Sequence, residues 1–328
     1  MKRTNKHLAL ASQQSGMTLV ELLVALAIGS FLMVGAIQVY NQSRQAFVIN
    51  ESIARVQETA QFAMDTLESD LRMASNWGLH SRSAAVEGRS LIDDPNPLAL
   101  PAPVNCGVDW ALDLSRPVEG DNNSYNLLCA PNGGAQANSD TITTRRATVA
   151  PTPLAGGRLQ IQSTRIQGAL FADGIIPAGF TAVDSETHDL KVSTYYVSEN
   201  STLIPGVPTL RRHTLVADAS GPTIVDQEIA PGVENIQMQL GVDVNEDNTV
   251  DRYINPGDPI LDPVNPAFIP GIRVITVRIW MIVRGVSPEI GIQDNANYAP
   301  GDINLGQYND QFRRMQVSKT ILLRNARS

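Results

Sequence analysis

The feature that most constrains this chain of 328 residues is an unbroken apolar segment near its start, residues 17–40. A helix needs about twenty consecutive apolar residues to cross the hydrocarbon core of a membrane. The segment reaches that length with a single charged residue inside it, Glu21. A carboxylate at that depth is costly, so it indicates a function and calls for a partner. The sequence therefore predicts a membrane-spanning helix whose one acid takes part in assembly.

A short basic leader precedes this segment. Lys2, Arg3 and Lys6 supply its positive charge, and they place the N-terminus in the cytoplasm and the rest of the chain outside it. A secretory signal carries its small-residue cleavage site after the apolar region, whereas here the small residue Gly16 comes before it. Cleavage after Gly16 would remove a hydrophilic leader, residues 1–16, and would leave the apolar helix on the mature protein.

The junction resembles the class III signal of type IV prepilins and pseudopilins. That motif is a Gly, an apolar residue, two or three small or apolar residues, and a Glu at the fifth mature position. The residues that match it are Gly16, Met17, Thr18, Leu19, Val20 and Glu21. The resemblance implies that prepilin peptidase cuts after Gly16 and N-methylates Met17. A carboxylate at Glu21 can then neutralise the terminal ammonium of its own or a neighbouring subunit.

Two other interpretations of the start remain open. Glu21 could lie near the membrane surface and reach the headgroups, as amphipathic side chains do. A conventional signal peptide could also be cut near residues 34–36, but its apolar region would exceed the usual length and contain an acid.

The helical pattern continues beyond the apolar segment, because proline is absent from residues 17–77. Apolar residues recur every three or four positions, at Ile49, Ile53, Val56, Ala60, Met64, Leu67 and Leu71. The pattern predicts that residues 41–77 form an amphipathic half of the same helix, with one stripe for a globular domain.

Residues 78–138 are rich in Pro, Asn, Asp and Gly, which favours turns and predicts an irregular connector. The connector contains both cysteines of the chain, Cys106 and Cys129. In an oxidising compartment a single disulfide is the simplest interpretation. Two free thiols, or part of a metal site, are the alternative.

Residues 139–328 are predicted to form a β-rich exported domain. Alternating, β-branched stretches indicate strands at 140–146, 158–162, 190–197, 209–215, 233–240, 272–284 and 315–323. We expect 190–197 and 209–215 to form a hairpin. The clearest strand, 272–284, has one apolar face formed by Ile275, Val277, Ile279, Met281 and Val283. A long helix followed by antiparallel strands is an α+β pattern.

Three late stretches resemble the PilW family of type IV pilus assembly proteins: 241–253 (GVDVNEDNTVDRY), 277–284 (VRIWMIVR) and 320–325 (TILLRN). The resemblance implies a pilin-like fold, in which a long helix with a transmembrane first half packs on a C-terminal antiparallel sheet domain. It also implies a non-enzymatic minor pilin that primes or caps type IV pilus assembly. A type II secretion pseudopilin, and a signal-anchored periplasmic binding protein or hydrolase, are the alternatives.

The same resemblance implies the partners and the location. The partners are other minor and major pilins, prepilin peptidase and inner-membrane lipid. The protein would cross the inner membrane once, with its C-terminal domain in the periplasm, and would then enter the pilus at the cell surface.

One acidic stretch has the spacing of a calcium loop. Positions 1, 3, 5, 7 (a carbonyl) and 9 are occupied by Asp243, Asn245, Asp247, Thr249 and Asp251. Asn248 replaces the usual Gly at position 6, and Ile254 stands where a bidentate Glu belongs. An Asp/Asn-rich hairpin turn is the alternative interpretation. Apart from calcium at this loop, we expect no cofactor.

Charge and histidine content argue against other classes of function. The formal net charge is −8, and loss of the three basic leader residues takes it to −11, which disfavours nucleic acid as a partner. The four histidines, His7, His80, His188 and His213, are far apart in the sequence. The sequence contains no HExxH, GxSxG or phosphate-binding glycine motif, so we do not expect an enzyme.

Overall fold

A single α-helix, α1, runs from Leu19 to Arg72 in the computed structural model, which describes residues 16–327. The predicted leader, apart from Gly16, lies outside the described residues. By the density of its contacts the chain divides into two compact units, the first ending at Ser52 and the second beginning at Ile53.

The part of α1 in the first unit is exposed from Leu19 to Glu51, and Ser52 at its end is partly buried. Glu21 is the only charged residue between Gly16 and Arg44. By length and composition this is a helix that could cross a membrane. A helix of a soluble protein would bury these exposed apolar side chains. Here they could pack against either lipid or neighbouring helices.

The part of α1 in the second unit is amphipathic. Its buried residues recur every three or four positions, at Val56, Ala60, Ala63, Met64, Leu67, Asp70 and Leu71. The amphipathic half of the helix was predicted to start at residue 41, whereas the first buried residue of α1 is Val56. The difference arises because residues 41–51 extend the exposed part of the helix, with polar side chains on most of its turns.

The helix also ends earlier than the predicted residue 77. Beyond Arg72 the backbone N–H groups of Met73 and Ala74 bond three residues back, which tightens the last turn. Ser75 then adopts a left-handed conformation with φ of 65°, and its N–H donates to the carbonyl of Arg145. The chain leaves the helix to join a strand, and no Gly or Pro before Gly78 signals this in the sequence.

The second unit is built from β-strands. In the described residues they are β1 Val86–Glu87, β2 Val118–Glu119, β3 Ile142–Ala147, β4 Gln160–Ser163, β5 Gly168–Phe171, β6 Glu186–Ser198, β7 Thr209–Asp218, β8 Gly221–Pro231, β9 Val233–Asp243, β10 Arg252–Ile254, β11 Arg273–Arg284, β12 Asn297–Tyr298, β13 Gly306–Gln307 and β14 Arg314–Leu322. Short 3₁₀ turns at Ser83–Ala85, Pro259–Leu261 and Arg324–Arg327 complete the regular structure.

The larger sheet has eight strands arranged around the long strand β6. Strand β6 pairs antiparallel with β3, β4 and β7, and β8 follows β7 at the edge. The predicted hairpin is confirmed, because residues 193–198 of β6 pair with residues 209–214 of β7. Strands β5 and β8 were not predicted. The sequence of β5, Gly-Ala-Leu-Phe, is too short to alternate, and β8 has proline at its second and last positions.

The smaller sheet has the antiparallel order β10-β9-β11-β14. Its centre is β11, and the five residues assigned to one face of this strand are all fully buried. The pairing of β11 with β9 shifts register at two places, between Val274 and Thr276 and between Ile282 and Val283, and the five residues stay buried across both shifts. The α+β fold class is therefore confirmed: a long helix, an irregular connector and antiparallel sheets.

The core joins the helix to both sheets. The buried stripe of α1 packs with residues of β9 and β11, such as Met238 and Ile279, and with Tyr195 and Leu210 of the larger sheet. A second core cluster gathers Trp77, Trp110 and Leu112 of the connector against β4 and β6. The connector, although irregular, is thus packed against the sheet.

A single buried acid on the helix adds a polar anchor. Asp70 accepts hydrogen bonds from Arg146 Nη2 (2.7 Å) and from the Tyr195 hydroxyl (2.5 Å), and Arg212 Nη1 lies 3.8 Å from the same carboxylate. These partners come from β3, β6 and β7. A carboxylate in the last turn of a helix is opposed by the helix dipole, so Asp70 depends on these cations.

We expect Asp70→Ala to lower the free energy of unfolding by about 3 kcal/mol, because it leaves Arg146 and Arg212 partly buried without their carboxylate. The control is Asp65→Ala on the same helix. Asp65 is 57% exposed and lies 3.7 Å from Lys319, and such a surface pair is worth about 1 kcal/mol at most. Chemical denaturation of the full chain in detergent measures both variants. Equal losses would contradict the anchoring role of Asp70.

Candidate functional site

The expected cleavage point is accessible in the first unit. Gly16, Met17 and Thr18 are exposed and non-helical, and α1 begins immediately after them at Leu19. A Cβ added at Gly16 would meet no atom within 4 Å. The fold itself therefore does not require glycine at this position. A requirement for glycine would come from the enzyme that acts on the junction.

Glu21 forms a capping box with Thr18 at the start of the helix. Its Oε2 accepts hydrogen bonds from the backbone N–H of Thr18 (2.9 Å) and from the Thr18 hydroxyl (3.0 Å). In return, the Glu21 backbone N–H donates to Thr18 Oγ1 at 3.3 Å. These bonds satisfy two of the N–H groups that a helix start leaves without partners.

This local role of Glu21 was not predicted from the sequence, where the residue was expected only to pair with a terminal ammonium. The signal was present, since Thr18-Leu19-Val20-Glu21 has the Thr-x-x-Glu spacing of a capping box directly before an apolar run. The capped carboxylate is held at the first turn against the N–H of Thr18, the residue that follows Met17. A terminal amine at Met17 would thus lie next to an acceptor already in place.

The acidic loop that was predicted to bind calcium joins β9 to β10. Asp243 is fully buried, and its carboxylate accepts N–H bonds from Asn245, Glu246 and Asn248, and a bond from Arg273 Nη2 at 2.8 Å. Burial opposes ionisation, but these donors hold the pKa of Asp243 below its usual value. The charge of this acid is therefore already balanced within the protein.

The other acids of this loop also bond to its own backbone. Asp247 Oδ1 accepts from the backbone N–H and hydroxyl of Thr249, and Asp251 Oδ2 accepts from the N–H of Val244 at 2.7 Å. Asn245 Nδ2 points to Asp251 at 3.4 Å. These bonds have the pattern of an Asp/Asn-rich turn. Calcium at Asp243, Asn245, Asp247, Thr249 and Asp251 stays a prediction.

Cys106 and Cys129 are joined by a disulfide that closes part of the connector. Tyr125 ties this region to the sheet, because its hydroxyl donates to the Cys129 carbonyl (2.6 Å) and lies 2.9 Å from His213 Nε2. His213 is buried on β7 and stacks on Tyr196, with ring centroids 4.9 Å apart. The sulfurs and a nitrogen of His213 lie within 4.8 Å of one another, but bonded sulfurs are not thiolates.

The three described histidines have packing or hydrogen-bonding environments of different kinds. Burial lowers the pKa of His213 and also the pKa of His80, which accepts from the Arg82 N–H through Nδ1. His188 Nδ1 lies 2.8 Å from the Thr148 carbonyl. His7 lies outside the described residues. Each of the three contacts its own neighbours, which fits a structural role.

An exposed junction before the helix, a capped apolar helix and a helix-on-sheet domain are together the features of a type IV pilin-like protein. The family comparisons specify it further. Residues 11–37 match the prokaryotic N-terminal methylation motif, and residues 194–325 match the type IV pilus-assembly protein W family. Both resemblances drawn from the sequence are thereby confirmed, and the protein has a pilus-related role.

Comparisons over the whole chain find fewer similar proteins. No curated protein matches the sequence. Among solved structures, a type IV-like pilin from Thermus thermophilus is similar, with 10% sequence identity and a TM-score of 0.36. The match covers 84% of this chain and 99% of that one.

We expect the disulfide to be complete in protein isolated without reductant, so a thiol-reactive label should modify neither cysteine. Reduction should lower the free energy of unfolding by about 3 kcal/mol, the value expected for a closed loop of this order of length. The double variant Cys106→Ser/Cys129→Ser should match the reduced protein. Labelling of both thiols in unreduced, folded protein would favour the free-thiol alternative instead.

Proposed function

We propose that this chain is a minor pilin: a structural, non-enzymatic subunit that is cleaved after Gly16, joins other pilins through residues 17–40, and primes or caps a type IV pilus. One observation carries the proposal. An accessible junction lies directly before a capped, exposed apolar helix, on a chain whose C-terminal part matches a pilus-assembly family.

The geometry suits the charge chemistry of such a subunit. Cleavage after Gly16 creates an ammonium at Met17, and N-methylation would keep that charge. The Glu21 carboxylate already bonds the N–H of Thr18, the next residue, so it can neutralise the ammonium of its own chain. In a bundle of helices it could equally meet the ammonium of a neighbouring subunit, and a buried charge that lacks such a partner is strongly unfavourable.

The location follows from the same features. The helix would hold the precursor in the inner membrane with its sheet domain in the periplasm, where prepilin peptidase meets the junction from the cytoplasmic side. Other minor and major pilins would then receive the mature helix. The matched family is named for pilus assembly, which favours a pilus over a type II secretion pseudopilus.

Intact-mass analysis of the membrane-extracted protein tests the processing step. We expect loss of residues 1–16 and the gain of one methyl group. Gly16→Phe should abolish cleavage while leaving the fold unchanged, because an added Cβ meets no neighbour. The control is Gly29→Ala, where a Cβ also meets nothing within 4 Å and which lies far from the junction. A full-length mass for the unmodified chain would exclude a processed pilin and favour an uncleaved signal anchor.

Two variants separate the charge of Glu21 from its capping role. Glu21→Gln keeps a capping-box residue but removes the charge, whereas Thr18→Val removes the cap and keeps the charge. We expect Glu21→Gln to lower incorporation into isolated pili by about tenfold or more, with cleavage largely retained. Thr18→Val should have the smaller effect. Incorporation is measured by immunoblot of sheared pili, and the reverse order of the two effects would make capping the dominant role.

A further inference from the structure

A second group of acids lies on the larger unit, away from the calcium-like loop. Asp140 precedes β3 and is buried, with 1% exposure, whereas Asp302 lies on the exposed turn between β12 and β13. Asn123 joins them: its backbone N–H donates to Asp140 Oδ1 (2.7 Å), and its side-chain amide donates to Asp302 (3.4 Å). The group therefore extends from the interior to solvent.

These two carboxylates lack a basic partner. Within residues 16–327, no Lys, Arg or His lies in ion-pair range of Asp140 or Asp302. The carboxylate of Asp140 accepts backbone N–H bonds from Asn123 and Met238, each at 2.7 Å, and the acids Asp121 and Asp302 lie near it. Negative charge is thus concentrated here without compensation.

Several buried oxygen atoms near Asp140 and Asp302 lack a hydrogen-bond donor among the described residues. The amide oxygens of Asn122 and Asn123 are buried and have no hydrogen-bond partner within residues 16–327, while both amide NH2 groups turn toward Asp302. Gln237 is fully buried, and its Oε1 also has no partner. Buried acceptors are almost always satisfied in folded proteins, so three in one region call for a donor or a cation.

Gln237 is directed toward this group. Its Oε1 lies 3.6 Å from the position that a Cβ on Gly301 would occupy, next to Asp302. On the same face of β9, Gln239 bonds to Asn255, whose amide donates to Asp302 Oδ2 at 2.6 Å. Gly301 has φ of 60°, and a side chain there would collide with Gln237, so the close approach of this turn to β9 requires glycine.

We propose that Asp140 and Asp302, with the amide oxygens of Asn122, Asn123 and Gln237, bind one calcium ion. Half a turn of each asparagine amide would direct its oxygen, in place of its NH2, toward the ion. Two carboxylates and three amide oxygens make a hard, all-oxygen donor set, and Ca²⁺ takes six to eight such ligands in flexible geometry. Mg²⁺ demands a smaller, near-octahedral site and fits this set less well.

Such an ion would tie together three segments distant in the sequence. The connector supplies Asn122 and Asn123, the segment before β3 supplies Asp140, and the turn after β12 supplies Asp302. All three would be fixed to β9 through Gln237. The ion would therefore stabilise the side of the smaller sheet on which irregular segments are packed.

Calcium titration of the full chain in detergent tests the proposal, after treatment with a chelator. We expect calorimetry to show one Ca²⁺ per chain, and 1 mM CaCl2 to raise the midpoint of thermal unfolding by about 5 °C. The same concentration of MgCl2 should raise it by much less. No calcium response, or an equal response to both ions, would overturn the proposal and leave bound water as the partner of these oxygens.

Matched variants locate the ion. Asp302→Asn is the main test, because Asp302 is exposed and Asn keeps the size of its side chain; we expect calcium affinity to fall at least about tenfold. Asp140→Asn should act in the same direction. The control, Asp247→Asn, alters the β9–β10 loop and should bind calcium normally. If binding survived Asp302→Asn and was lost in Asp247→Asn, the ion would belong to that loop and the proposal would be wrong.

Discussion

The structure depends on how one end of a helix, apolar along most of its length, is fixed to a sheet domain. Apolar packing alone would let the stripe from Val56 to Leu71 slide, since dispersion contacts have little direction. Asp70 removes that freedom, because a carboxylate opposed by the helix dipole is held by Arg146, Tyr195 and Arg212 from three different strands. These contacts fix both the rotation of the helix about its axis and its position along the sheet.

The two ends of α1 use a carboxylate in opposite ways. Near the start, Glu21 lies where the dipole favours an acid, and it closes a capping box in an otherwise apolar stretch. Near the end, Asp70 lies where the dipole opposes an acid and needs cations from elsewhere in the fold. The first contact is local and survives in an isolated helix. The second exists only when the sheet has formed, so it couples the helix to the folded domain.

Local patterns account for what could be predicted from the sequence. The helix start follows from the motif between Gly16 and Glu21, and one buried face of β11 follows from the apolar residues at every second position between Ile275 and Val283. The early end of the helix could not be predicted, because Ser75 turns away to bond the carbonyl of Arg145, a partner seventy residues distant. Strand β8 could not be predicted for a related reason. Its acidic side chains are typical of a polar loop, and their partner, Arg211 of β7, comes close to Asp226 only in the folded sheet.

The two acidic groups differ in where the donors to their carboxylates come from. In the β9–β10 loop the acids are close in sequence, and for that reason they are also close to backbone N–H groups and to Arg273, which satisfy them. Asp140 and Asp302 are 162 positions apart by their numbering, so no motif connects them. Their hydrogen-bond donors, such as the N–H of Met238 and the amide of Asn255, come from other segments of the chain. Among the described residues, the buried amide oxygens of Asn122 and Gln237 have no donor, and they lie next to this group. A hard cation takes six to eight oxygen ligands, so a site assembled from several segments can supply them where no sequence motif does.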